Sequence, residues 1–333
     1  MSDIIRVHEQ LDVNLISSRI SPFDSVQNIA NYTVSFIPKG NVKVIRDTIN
    51  FFRTEDIGVK DSYYFGNPDW IKFKKPKVSV PRIIMYTHNR DCYLKLTLNS
   101  LMNSLYYCPE VPVTLIGNKP TPEVLSILTD FQNRYPQIEV LLCEENVAFA
   151  AQTIGIMWYK PENVIMAEDD FILPQATKYL YPIWPYQFAQ KLDHCQFLGF
   201  GALFNNLAFN ILSDWTEIVP KTNLGWYYWE RGSGETKPIL MCQLSCFKSK
   251  LWKQGYNQGL RGVLDNHFND NAQRIAIPFL KLYHTGFNQF QDNVYSYTNF
   301  EKAKSQKDST RVTSLRTNES RVIVFDDVKN LEL

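Results

Sequence analysis

Arg82-Ile83-Ile84-Met85-Tyr86, followed at once by Thr87-His88-Asn89-Arg90, sets the reading of the whole chain. A short apolar run that stops abruptly at polar residues reads as a buried strand delivering a polar turn. After it come Tyr93, Leu94, Leu96, Leu98, Leu101, Met102 and Leu105, spaced near the helical period. A second strand is expected over Val111 to Ile116, ending at Gly117-Asn118, and Thr121-Pro122-Glu123 opens a helix with a capping residue and a proline at its first position. Ile138 to Cys143 reads as a third strand ending in Glu144-Glu145-Asn146. A helix from Ala148 to Trp158 then leads into Asn163-Val164-Ile165-Met166-Ala167 and the acidic triplet Glu168-Asp169-Asp170. Strand and helix alternate four times, which predicts an α/β fold: a mostly parallel sheet with helices on both faces. In such sheets ligands sit beyond the carboxyl ends of the strands, where every one of these polar clusters falls.

Outside this block the text is different. Residues 1–80 read as a small α+β appendage and linker: Tyr32 to Ile37 alternates like a half-buried strand, Pro38-Lys39-Gly40-Asn41 reads as a turn into Val42 to Ile45, and Gly66 to Pro81 is basic and proline-punctuated. The main domain is expected over 81–300. Residues 301–333 read as a polar tail, with Arg321 to Phe325 returning as an edge strand.

Composition bounds the function. With 333 residues, 44% hydrophobic, and 35 Lys and Arg against 34 Asp and Glu, the chain is of ordinary globular composition and carries a net charge of +1. That argues against a disordered chain, a collagen-like repeat or a strongly basic nucleic-acid binder. No apolar run approaches the ~20 residues of a membrane span, and the first residues lack a signal-peptide pattern. Six cysteines without a C-x-x-C pair are expected to be reduced core residues of a cytoplasmic protein. The sequons at Asn31 and Asn318 read as chance occurrences.

Glu168-Asp169-Asp170 carries the most chemistry. Adjacent carboxylates at a strand end repel one another and require compensating positive charge if they are buried. Mg2+ or Mn2+ would supply it, since these hard cations take oxygen ligands and share them with substrate phosphates. The competing reading is a solvated acidic turn or a helix N-terminus.

The order of these motifs resembles the GT-A class of nucleotide-sugar glycosyltransferases, above all its family-2 branch, over about residues 82 to 290. Tyr86-Thr87-His88-Asn89-Arg90 with Tyr93-Leu94 looks like the opening strand and helix of that class. Asn146-Val147-Ala148 with Gly155-Ile156 is similar to its Asn-x-Gly helix entry, and Val164 to Pro174 to its D-x-D segment, in the Glu-Asp-Asp form of N-acetylglucosaminyltransferase I. The resemblance implies that Thr87, Asn89 and Arg90 line a nucleotide pocket, with Arg90 toward the diphosphate. It places Asn118, Asn146, Glu168 and Asp169 on the donor side and makes Asp170 a ligand of Mn2+ or Mg2+. Two departures stand out: Gly117-Asn118 occupies the place where the class often has a base-reading Asp, and Ala148 stands where it usually has Gly.

Farther along, Gln243 to Trp252 resembles the acceptor-side segment, and Leu264-Asp265-Asn266-His267 the acidic motif after it. An inverting transfer needs a carboxylate to take the acceptor proton; Asp265 is the expected base and Asp270 the second choice. His284, in Tyr283-His284-Thr285-Gly286, is similar to a late histidine that closes on the diphosphate and metal. Gly225 to Gly232 is rich in aromatic residues, and Trp226, Tyr227 and Trp229 are expected to form an acceptor platform or lid, whereas Tyr179 to Tyr186 reads as core. The expected partners are a nucleoside diphosphate sugar, UDP-sugar favoured, and a hydroxyl acceptor, a glycan favoured over a hydroxylated nucleic-acid base. The alternatives are a nucleotidyltransferase, against which the glycine-free turn 87–90 speaks, and an inactive nucleotide-sugar-binding module.

Overall fold

The computed structural model describes residues 75–173, 183–199, 202–203, 226–231, 239–240, 244–257, 272–278, 283–284 and 307–332. The expected hairpin at 32–45, the rest of the appendage through residue 74, Asp265 and Asp270 lie outside them. The elements that position the site are β1 (Arg82–Thr87), α1 (Asp91–Ser104), β2 (Val113–Asn118), α2 (Pro122–Arg134), β3 (Ile138–Cys143), α3 (Ala151–Tyr159) and β4 (Asn163–Ala167). After them come β5 (Phe171–Ile172), α4 (Trp184–Lys191), β6 (Phe197–Gly199), β7 (Ala202–Leu203), β8 (Trp226–Glu230) and β9 (Ile239–Leu240). β10 (Leu244–Lys248), α5 (Ser249–Asn257), β11 (Arg274–Pro278), β12 (Tyr283–His284), β13 (Ser309–Ser314) and β14 (Ser320–Val324) complete the set.

Ten strands form one mixed sheet in the order β14-β13-β3-β2-β1-β4-β10-β6-β11-β8. The four strands read from the sequence, β3-β2-β1-β4, lie side by side and run parallel. Period-two alternation divides their side chains between two cores. Ile83 and Met85 of β1 join Leu94, Leu98 and Leu101 of α1 and Val124, Leu128 and Phe131 of α2 on one face. Ile84 joins Ile154, Ile156 and Trp158 of α3 and Trp252 of α5 on the other. Trp184 and Tyr186 are buried, as the core reading of that segment expects.

Three local features differ from the expectation. β2 begins after Pro112, two residues late, because proline has no N–H to give a ladder, and it continues through Asn118, which pairs with Cys143. The helix after β3 is entered through a 3-10 turn, Ala148–Ala150, with Ala148 at φ 50°. In the stretch expected to be a polar tail, Ser309–Ser314 is a strand paired antiparallel to β3. Its inward positions are Thr310, Val312 and Ser314, so one apolar residue carries the inward face and the alternation is hard to see in the sequence. Ser320–Val324 returns beside it as the edge strand.

Gly155 fixes how closely α3 approaches the central strand. A Cβ there would stand 2.8 Å from Ile84 Cγ2 and 2.9 Å from its Cδ1, and Ile84 is fully buried. Overpacking of that kind typically costs ~1–3 kcal/mol, against a gain of ~1 kcal/mol in helix propensity. Gly155→Ala is therefore expected to lower unfolding stability by about 1 kcal/mol in a urea titration; a more stable variant would show that α3 has room.

Candidate functional site

The chain runs outward from β1 to β2 and β3, then returns to place β4 on the other side of β1. The two adjacent strands whose connections leave in opposite directions open a crevice at their carboxyl ends. β1 brings Thr87, His88, Asn89 and Arg90 to this point, and β4 brings Glu168, Asp169 and Asp170.

Arg90 joins the two strands. Its Nη1 donates to Asp170 Oδ2 at 2.6 Å, and its Nη2 donates to Asp169 Oδ1. Both carboxylates are 1% exposed, whereas the Arg90 side chain is 23% exposed, so the guanidinium lies between the buried acids and the solvent side. The positive charge that the acidic run requires is thus present as an arginine 79 and 80 residues away in the chain. Glu168 diverges from its neighbours: it is half-buried, and its Oε1 accepts a long bond, 3.5 Å, from the Tyr86 hydroxyl. Burial first and the Glu168 charge second hold the Tyr86 phenol well above its ordinary value, so it stays protonated.

Thr97 of α1 clamps the acidic turn, a role the sequence gives no signal for. Its hydroxyl donates to the Asp169 carbonyl at 3.0 Å and accepts from the Phe171 N–H at 3.0 Å. One turn on, Ser100 Oγ accepts from the Leu173 N–H at 3.1 Å. The backbone at and after the acidic pair is therefore held by two hydroxyls of α1.

Asn118 and Asn146 come together, but as a brace. Asn118 is 3% exposed at the end of β2. Its Oδ1 accepts from Val147 N at 2.8 Å, while its Nδ2 donates to Asn146 Oδ1 at 3.0 Å and to the Ala148 carbonyl at 3.2 Å. Asn146 Oδ1 also accepts from Ala148 N at 2.9 Å. These bonds hold Ala148 in the left-handed region where a glycine is usual, a conformation costing an L-residue ~1–2 kcal/mol. Nearby, His88 Nδ1 contacts the Asn118 and Lys119 carbonyls at 2.9 and 2.8 Å. Facing carbonyl oxygens, that nitrogen carries the proton, and it ties the turn after β1 to the end of β2. Thr87 is buried beside Asp169, and Asn89 is exposed in the turn.

β12 pairs antiparallel with β5, setting His284 opposite Phe171, the residue after Asp170. Trp226, Tyr227 and Trp229 lie on β8, the outer strand of the sheet, opposite Pro278, Ile277 and Ile275 of β11.

The acidic turn offers hard oxygen donors, the type taken by a divalent cation that completes its shell from a ligand. Among the described residues no group of three or more His, Cys, Asp or Glu is gathered closely enough to hold a metal ion alone. Asp170 is a buried carboxylate, the type of hard oxygen donor that Mg2+ and Mn2+ take alongside phosphates and water. Also among the described residues, no helix is long and apolar enough to cross a membrane, and the five cysteines described are free thiols.

No protein-family model and no curated protein matches the sequence. Among solved structures the chain is similar to a mannosyltransferase, PcManGT from Pyrobaculum calidifontis, in complex with GDP-Man and Mn2+. That pair shows 14% identity and a TM-score of 0.39, over 69% of this chain and 58% of that one. It is similar to S. aureus TarS 1-349 in complex with UDP-GlcNAc, at 16% identity and a TM-score of 0.40, over 59% and 55% of the two chains. It is also similar to GalNAc-T7 with UDP, GalNAc and Mn2+, at 13% identity and a TM-score of 0.42, over 62% and 44%. The chain spans less than two thirds of the length of each.

The Asp169 carboxyl is pushed up to about 6, by burial first; Arg90 opposes the shift and the Asp170 charge adds to it. A folded-state value above the unfolded ~3.9 means that the stabilising contribution of Asp169 is full below ~3.9 and is lost as pH rises through the folded value. In carboxyl-detected NMR of the metal-free protein, Asp169 is expected to titrate near 6, and Arg90→Gln to move that midpoint higher. A midpoint in the ordinary range near ~4 would contradict this electrostatic picture.

Proposed function

We propose that the protein is a metal-dependent glycosyltransferase that moves a sugar from a nucleoside diphosphate, UDP favoured, to a hydroxyl acceptor, a glycan favoured. The observation that carries this reading is the pair of buried carboxylates, Asp169 and Asp170, gathered by Arg90 where β1 and β4 part. Buried acids at a strand crevice, bridged by a guanidinium, suit a site that receives further positive charge together with an anionic ligand. The motif order that resembles the GT-A class supports the same reading.

In this account Asp170, with His284, would hold Mn2+ or Mg2+. When bound, the cation supplies positive charge against the departing diphosphate. Thr87, Asn89 and Arg90 bind the nucleotide and its phosphates from the turn after β1. Asp169, held by Thr97 through its carbonyl, orients the donor sugar or ribose, and Glu168 lies at its flank. Asn118 and Asn146 act on the donor side by bracing the loop that borders the pocket. Trp226, Tyr227 and Trp229 offer the sugar-stacking surface for the acceptor.

The transfer itself needs the acceptor oxygen to lose a proton as it attacks the anomeric carbon and the diphosphate leaves. Asp265 takes that proton, with Asp270 the second choice, and attack from the face opposite the leaving group inverts the configuration.

The test is slow donor hydrolysis across a panel of nucleotide sugars with Mn2+. Wild type is expected to release nucleoside diphosphate from one sugar donor, and Asp170→Ala to lose at least a hundredfold of that rate. Full activity in Asp170→Ala with the true donor would defeat the assignment.

A further inference from the structure

α1 meets the acidic turn twice. Arg90, the residue from which the helix starts, bonds the side chains of Asp169 and Asp170. Thr97, about two turns farther along the same helix, bonds the backbone around them. The two groups it takes belong to the peptide units on either side of Asp170: the Asp169 carbonyl comes before its Cα and the Phe171 N–H after it. One hydroxyl, 3.0 Å from each, closes a ring across that residue and restrains both of its backbone dihedrals. Those dihedrals govern the direction in which the carboxylate leaves the chain. The ring requires a single atom that donates and accepts at once, which a hydroxyl does. Thr97 is fully buried, so the side chain itself supplies these bonds where solvent has no access. Ser100 repeats the device farther on. Its proton goes to the Thr97 carbonyl at 3.0 Å, which leaves a lone pair for the Leu173 N–H at 3.1 Å. Between the two anchors runs β5, whose Phe171 stands opposite His284.

We propose that Thr97 is the positioning residue of the candidate metal centre: through the peptide units on both sides of Asp170, its hydroxyl sets the direction in which that carboxylate is offered to a divalent cation. Thr97 acts through backbone and touches neither cation nor substrate. Asp170 as the metal-binding carboxylate rests on the transferase reading; the hydroxyl clamp around it rests on the geometry alone. Mg2+ in particular demands near-ideal placement of its oxygen ligands. Loss of a group that orients a metal-binding side chain typically costs ~10–100-fold in metal affinity. A threonine kept for packing would act through its methyl group, and one kept for the turn acts through its oxygen. Substitution separates the two.

The test compares the full chain with Thr97→Val, which keeps the shape and loses the hydroxyl, and with Thr97→Ser, which does the reverse. Mn2+ uptake is read from the loss of the free-ion electron paramagnetic resonance signal, on protein shown by circular dichroism to be folded. Affinity is expected to fall by about tenfold in Thr97→Val and by less than about twofold in Thr97→Ser. In the metal-free protein the Phe171 amide is expected to exchange its hydrogen about tenfold faster in Thr97→Val and near the wild-type rate in Thr97→Ser. If Thr97→Val does not fold, Thr97→Cys carries the test: a thiol donates and accepts weakly, so its Mn2+ affinity is expected to lie below that of Thr97→Ser. Wild-type affinity in Thr97→Val or Thr97→Cys would overturn the positioning role and leave the transferase reading standing. So would a loss in Thr97→Ser as large as in Thr97→Val, which would place the effect in the methyl group. Wild type taking up no Mn2+ would overturn both the role and the metal-dependent reading.

Discussion

Two neighbouring carboxylates, each 1% exposed, share one guanidinium at the point where the order of the parallel strands reverses. A buried carboxylate without a partner is costly enough to protonate or to unfold its surroundings. The pair therefore dictates what stands around it. Arg90 has to come from the end of the adjacent strand, and Thr97 has to satisfy the backbone on both sides of the turn. The close seat of α3 on β1, set by Gly155, packs the strand that leads into the turn bearing Arg90. Each device is local, yet all of them serve one cluster of charge.

The remaining polar groups at this end of the sheet divide into those that brace and those that face the crevice. Asn118 and His88 spend their side chains on backbone groups of neighbouring loops. Through them the turn after β1, the end of β2 and the entry to α3 form one connected rim. A rim of this kind leaves the variable chemistry to Asn89, to the exposed side of Arg90 and to the acidic turn. The brace also accounts for the alanine at position 148: two bonds, one to Asn118 and one to Asn146, hold its backbone where glycine would sit without strain.

Much of the central fold was legible. β3 and β4 lie where the apolar runs place them, because each is bounded by turn residues and buried on both faces. The α2 start was equally readable, and Thr121 does accept the capping bond from Val124 N. β13 was not legible, since Thr310 and Ser314 occupy inward positions where an apolar residue would have given the signal. Nor could periodicity show that β10 inserts antiparallel between β4 and β6. At the site, the residue types of the crevice were readable from motif order. Their pairing was not: Arg90 and the two aspartates are about eighty residues apart in the chain, and only the fold brings them together. Thr97 was hidden because a threonine on a buried helix face looks like packing until its two backbone partners are known.

The most direct test is a crystal of the full chain grown with Mn2+ and pyrophosphate, read by the anomalous signal of manganese. The account predicts a manganese peak on the Asp170 carboxylate, with the pyrophosphate bound beside it and against Arg90. A manganese peak elsewhere, or pyrophosphate bound away from both Asp170 and Arg90, would contradict the account.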